Sequence, residues 1–172
     1  MAQLTPILTK EEIDRIISSL ANRISSDYQG CDLVLIGVLK GAFIFMADLV
    51  RKLTIPVTMD FVGATSYGKK AVSSGSLRFT KAIEIDVRDK DVVLVEDIVD
   101  TGLTMACLVT HVKAMGPKSV KVCTLIDKKE RREHDIFLDY IGVVVENGFL
   151  AGFGLDYAEA YRNLPGIFQL NL

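Results

Sequence analysis

The sequence predicts an α/β protein: a parallel twisted sheet flanked by helices on both faces. Two observations carry that expectation. The runs at 32–38 and 92–95 are too continuously apolar for half-exposed strands and suit central parallel ones. Strand-like runs also alternate with segments of helical periodicity along the chain. A length of 172 residues sets the scale at one domain, 1–172, with a real core.

The elements follow in order. Thr9 and Glu12 make a capping box ahead of Ile13, Ile16, Ile17, Leu20 and Ile24, whose three-and-four spacing defines a first helix. The apolar run at 32–38 is a strand that ends in Leu39, Lys40 and Gly41, and residues 43–53 read as a second helix. Residues 55–62 form a second strand, with Pro56 near its start. Gly and Ser then dominate, and a loop over 63–80 of that length in a compact domain is functional or mobile. Residues 77–85 alternate as an edge strand. A buried strand enters Glu96, and Met105, Leu108, Val109, Val112 and Met115 continue at helical spacing to a stop at Gly116 and Pro117. Further strands fall at 119–126 and 140–145, separated by a charged run, Lys128 to Arg132. No internal repeat or linker divides the chain.

Composition narrows the function. Apolar residues make up 49% and charged ones 24%, and 20 basic residues face 22 acidic ones, for a net charge of −2. That balance argues against nucleic acid as a partner. No apolar run reaches the roughly 20 residues that span a bilayer, so no membrane partner is expected. The N-terminus lacks a basic-then-apolar leader, which points to the cytoplasm. Cys31, Cys107 and Cys123 have no metal-ligand spacing and read as buried thiols.

The chemistry concentrates at 92–104. Four apolar residues lead into Glu96, Asp97 and Asp100, and then into Thr101-Gly102-Leu103-Thr104 at the start of a helix. Backbone N–H groups at a helix N-terminus attract an anion. Carboxylates beside them would repel it unless they hold a metal ion, hold sugar hydroxyls or take a proton. Helix capping would account for one acid but not for three. The glycine pattern matches neither a Walker loop nor a dinucleotide fingerprint, and the short loop has room for one phosphate. Residues 39–41, 96–104 and 127–128 all follow predicted strands. In such sheets ligands bind beyond the carboxyl ends of the strands.

These residues resemble the phosphoribosyl-pyrophosphate signature of type I phosphoribosyltransferases. Leu39-Lys40-Gly41, Ser66-Tyr67, Asp127-Lys128-Lys129, the run from Gly152 to Tyr157 and the run from Tyr161 to Pro165 follow in the order seen in hypoxanthine-guanine phosphoribosyltransferases. The similarity covers residues 9–168 and implies the type I phosphoribosyltransferase fold, with a small hood at 140–172 and a flexible lid loop at 63–80. It implies purine salvage: 5-phosphoribosyl 1-pyrophosphate and hypoxanthine or guanine give IMP or GMP plus pyrophosphate, with Mg2+. A xanthine-preferring transferase and a non-catalytic nucleotide-sensing regulator share the same fold and stand as alternatives.

The resemblance also distributes roles. Thr101, Gly102, Leu103 and Thr104 would wrap the 5-phosphate, and Glu96 and Asp97 would hold the ribose hydroxyls directly or through magnesium. Asp100 would be the general base. Lys40, Gly41 and Arg162 would contact pyrophosphate, and Leu39-Lys40 is a candidate cis peptide. Ser66 and Tyr67 would touch pyrophosphate when the lid closes and excludes water. Lys128 would donate to the 6-oxo group of the base, Phe149 would stack on the purine, and the backbone of Leu150 would read its edge. Asp156 would be a second magnesium ligand, held through water. Lys129, Arg131 and Arg132 read as a solvated charge run. Gly148 replaces the larger or basic residue common among relatives, which leaves the ranking of hypoxanthine, guanine and xanthine open. A homodimer or homotetramer is expected, with Phe43, Phe45 and Met46 either at the interface or in the core.

Overall fold

The computed structural model describes residues 3–66 and 77–171. The chain runs β1 (Gln3–Leu8), α1 (Lys10–Asp27), β2 (Leu33–Leu39), α2 (Phe43–Lys52), β3 (Thr58–Ser66), β4 (Leu77–Lys81), β5 (Asp91–Val99), α3 (Leu103–Ala114), β6 (Ser119–Lys128), β7 (Tyr140–Val145), β8 (Phe149–Ala151) and β9 (Ile167–Asn171). Six strands form one sheet in the order β4-β3-β2-β5-β6-β7, and three form a second in the order β1-β9-β8. In the large sheet every pairing is parallel except β3 with β4.

Alternation along the central strands explains their unbroken apolarity. Leu33 and Leu35 of β2 and Val93 and Val95 of β5 join α1 and α2 in one apolar layer. Val34, Ile36, Val92 and Leu94 point the other way and pack with Met105, Leu108 and Val112 of α3. Both faces are covered, so neither strand has a polar side to show. The predicted capping box starts α1: the Thr9 hydroxyl accepts the Glu12 N–H at 3.2 Å, and the Glu12 carboxylate accepts the Thr9 N–H at 2.8 Å.

Several elements differ from the sequence expectation. The second predicted strand starts later, at Thr58, and extends through Ser66 into the stretch read as loop. The edge strand stops at Lys81 rather than 85. There the Asp60 carboxylate accepts the N–H groups of Glu84 at 2.7 Å and Ile85 at 3.3 Å, which takes the donors a continued ladder would use. The rest of the predicted lid, 67–76 with Tyr67, lies outside the described residues. β7, grouped with the hood from sequence, is instead the outer strand of the large sheet. The small sheet takes β8 and β9 from the C-terminal region and β1 from the N-terminus. β1 left little sequence signal because it is short, contains Pro6 and bulges between Pro6 and Leu8, features an edge strand tolerates. Phe45 and Met46 are core residues, whereas Phe43 is 44% exposed. Cys123 is buried, but Cys31 and Cys107 are only half-buried. Among the described residues no helix is long and apolar enough to cross a membrane.

Candidate active site

The strand order sets the location. From β2 the chain adds β3 on one side, and from β5 it adds β6 and β7 on the other, so the direction of sheet growth reverses between β2 and β5. The segments that leave these two strands, Leu39-Lys40-Gly41 and the Asp100–Thr104 loop, diverge there. Between them opens a cavity of about 420 Å³.

Most of the predicted site residues line it. Lys40 and Gly41 come from the end of β2, and Glu96 and Asp97 from β5 itself rather than from the loop after it. Asp100, Thr101, Gly102 and Thr104 follow, and Lys128, the last residue of β6, closes one side. Phe149, Leu150, Asp156 and Arg162 arrive from the small sheet and the segment after it. Leu103 begins α3 but does not line the cavity. Ser66 is the last residue of β3, and Tyr67 is outside the described residues. The Leu39–Lys40 peptide is cis.

The loop into α3 leaves the helix N-terminus able to receive an anion. Gly102 sits at the N-cap with φ +85, so α3 begins with no side-chain cap and no acid in its first turn. A Cβ on Gly102 would lie 2.6 Å from the His134 carbonyl oxygen. The loop is pressed there because the Glu133 and His134 N–H groups both donate to the Thr101 carbonyl at 3.0 Å. The opposite loop packs as closely: a Cβ on Gly41 would collide with the Asp97 carboxylate.

Burial governs the acids. Glu96 and Asp97 are adjacent and buried, and loss of solvent pushes both carboxyls upward, with the Asp97 charge adding to the rise at Glu96. At Asp97 the hydrogen bonds it accepts and the charge of Arg162 oppose the rise in part. Such a pair is poised for a cation or for hydroxyl donors. Asp100 is divided: Oδ2 lies 3.6 Å from Lys128 Nζ and 3.5 Å from an Arg131 guanidinium nitrogen, while Oδ1 is buried with no hydrogen-bond partner among the described residues. Lys128 is only 3% exposed, and the Glu130 carboxylate lies 3.4 Å from its Nζ.

Two residues assigned to a solvated charge run make specific contacts near this site, and only Lys129 of the three fits that expectation fully. Arg131 lines the cavity and faces Asp100. Arg132 bonds the Asp127 carboxylate at 2.5 Å and donates to the carbonyls of Val99, Asp100 and Lys128 at 3.0, 2.8 and 3.3 Å. It ties the end of β5 to the end of β6. A run of like charges gives no sign that one member folds inward. The rim carries another pattern absent from the sequence reading, in which Glu159 pairs with Lys40, and Arg162 pairs with Asp156.

The chain is similar to known proteins over nearly its whole length. The phosphoribosyl transferase domain family matches residues 4–158. A hypoxanthine-guanine phosphoribosyltransferase of Aquifex aeolicus is 43% identical over 98% of this chain and 95% of its own length. One from Bacillus subtilis is 42% identical over 94% of this chain and 89% of its own. The crystal structure of a hypoxanthine-guanine phosphoribosyltransferase from Bacillus anthracis superposes with a TM-score of 0.94 at 39% identity, covering 98% of this chain and all of that one.

Proposed function

The chain belongs to the phosphoribosyl transferase family, and from that premise we propose that it salvages 6-oxopurines. The phosphoribosyl group of 5-phosphoribosyl 1-pyrophosphate passes to hypoxanthine or guanine, forming IMP or GMP and pyrophosphate. The observation that carries this reading is the convergence, in one cavity, of an uncapped helix N-terminus, a buried carboxylate pair and the buried Lys128.

Each residue has work suited to its surroundings. Thr101, Gly102 and Thr104, with the N–H of Leu103, receive the 5-phosphate at the start of α3. Glu96 and Asp97 hold the ribose hydroxyls. An imidazole nitrogen of the base attacks the anomeric carbon as its bond to the pyrophosphate oxygen breaks, and the proton on that nitrogen passes to Asp100 Oδ1, which has no hydrogen-bond partner among the described residues. Positive charge on the ribose is stabilised by the neighbouring carboxylates. Lys128 donates to the 6-oxo group, so a 6-amino purine would leave buried polar groups unpaired. Phe149, at the cavity edge beside Tyr157 with ring centroids 5.3 Å apart, stacks on the purine, and the Leu150 backbone reads its rim. Lys40, Gly41 and Arg162 receive the pyrophosphate, with Ser66 and Tyr67 completing that contact.

A magnesium ion fits this donor set. Glu96, Asp97 and Asp156 offer hard oxygen ligands, two of them buried and destabilised without a cation. Among the described residues no three acids gather into a cage, so water and substrate oxygens would complete the shell. When bound, the ion neutralises the diphosphate and makes it a better leaving group. The same reading makes the whole chain, 1–172, one catalytic unit that works in the cytoplasm as a homodimer or homotetramer.

An absorbance assay with 5-phosphoribosyl 1-pyrophosphate and magnesium, run with hypoxanthine, guanine, xanthine and adenine in turn, tests the reading. Turnover of hypoxanthine and guanine with none of adenine is the expected result. A faster rate with xanthine would reassign the preferred base, and no turnover with any base would overturn the proposal.

A further inference from the structure

The rim of the cavity holds a carboxylate with no role in the chemistry above. Glu159 does not line the cavity, yet its carboxylate receives the Lys40 ammonium at 2.9 Å and lies 3.5 Å from the Arg162 guanidinium. These are the two cations read above as pyrophosphate ligands. Glu159 thus occupies the place of a diphosphate oxygen between them, and Arg162 is further engaged by Asp156 at 2.8 Å and by the Gly154 carbonyl at 2.7 Å. The segment is set for this contact: the Glu159 N–H donates to the Asp156 carboxylate at 2.9 Å, and the backbone at Ala158, Glu159 and Tyr161 is left-handed.

Resting on the reading of Lys40 and Arg162 as pyrophosphate ligands, we propose that Glu159 is the built-in counter-anion of the pyrophosphate subsite. Its carboxylate holds the two cations before substrate arrives, must be displaced when the diphosphate binds, and returns as pyrophosphate leaves. Glu159 therefore sets how tightly the diphosphate is held. Lys40 and Glu159 are 68% and 66% exposed, so the contact is weak and easily exchanged. A competing state of that strength lowers apparent affinity by roughly twofold to fivefold.

Calorimetric titration with inorganic pyrophosphate, with and without magnesium, tests this on the full-length protein. Glu159→Gln, which keeps shape and removes charge, is expected to bind pyrophosphate about twofold to fivefold more tightly than wild type. Its KM for 5-phosphoribosyl 1-pyrophosphate should fall in step, with no gain in kcat because the product leaves more slowly. Glu159→Asp, which restores the charge, should move back toward wild type. In a Lys40→Ala background the gain from Glu159→Gln should shrink, since most of the competition acts through that lysine. Unchanged or weaker binding by Glu159→Gln would overturn the proposal while leaving the subsite intact. Equal binding by wild type and Lys40→Ala would instead remove the pyrophosphate reading on which the proposal stands.

Discussion

Asp100 shows how one side chain is given two environments. Its Oδ2 faces Lys128 and Arg131, and its Oδ1 is buried with no hydrogen-bond partner among the described residues. Two cations engage one oxygen, and the other lies open to a proton donor. Asp100→Asn preserves the size of the side chain and removes the basic oxygen. It is expected to lower kcat by about 10²- to 10⁴-fold, with the dissociation constant of 5-phosphoribosyl 1-pyrophosphate changed by less than about threefold, because the phosphate cradle is untouched. Turnover at the wild-type rate would remove the general-base role. Glu96, Asp97 and Asp100 were legible in the sequence because they fall within five positions and because three carboxylates beside an anion loop conflict unless they act. Arg131 and Arg132 were not, since the inward turn of Arg132 depends on Asp127 and three strand-end carbonyls that only folding brings together.

At the scale of elements, the β5–α3 junction forms the loop proposed to receive the 5-phosphate. A strand buried on both faces delivers the loop, and a left-handed Gly102 turns it into a helix that begins without a side-chain cap. Gly102→Ala would introduce a left-handed cost of about 1–2 kcal/mol and a Cβ 2.6 Å from the His134 carbonyl oxygen. The loop must shift to relieve that contact. A fall in melting temperature is expected together with a rise of roughly tenfold or more in KM for 5-phosphoribosyl 1-pyrophosphate, an effect of misplacing the bound geometry. Thermal melts and steady-state kinetics on the same preparation check both, and a lower melting temperature with unchanged KM would separate the glycine from phosphate binding. The central strands and the three helices of the described residues were readable because periodicity, and for α1 its capping box, are local. β1 and β9 were not, because each is stabilised chiefly by the other across the full length of the chain, with Gln3 paired to Asn171.

For the molecule as a whole, one contribution to acid stability comes from how the edge of the large sheet is fastened. Asp60 of β3 is 11% exposed in its side chain and accepts from Lys81 Nζ at 2.9 Å and from the N–H groups of Phe61, Glu84 and Ile85 at 2.7, 2.7 and 3.3 Å. It joins β3, the end of β4 and the segment that returns toward β5; Glu84 lies 3.3 Å from the same lysine. Burial alone would raise the Asp60 carboxyl, but the bonds donated to it win and hold it down at about 2. A group held below its unfolded value, near 3.9, contributes stability that is present above about pH 4 and lost as pH falls through about 2. The shift corresponds to about 2 kcal/mol at neutral pH. Asp60→Asn is therefore expected to unfold at lower denaturant than wild type at pH 7, by about 2 kcal/mol, and the gap should narrow steadily from pH 4 toward pH 2.5. Urea denaturation at several pH values measures it. A gap of constant size would mean that Asp60 stabilises by shape and neutral hydrogen bonds alone, and that the charge on this edge does not govern acid unfolding.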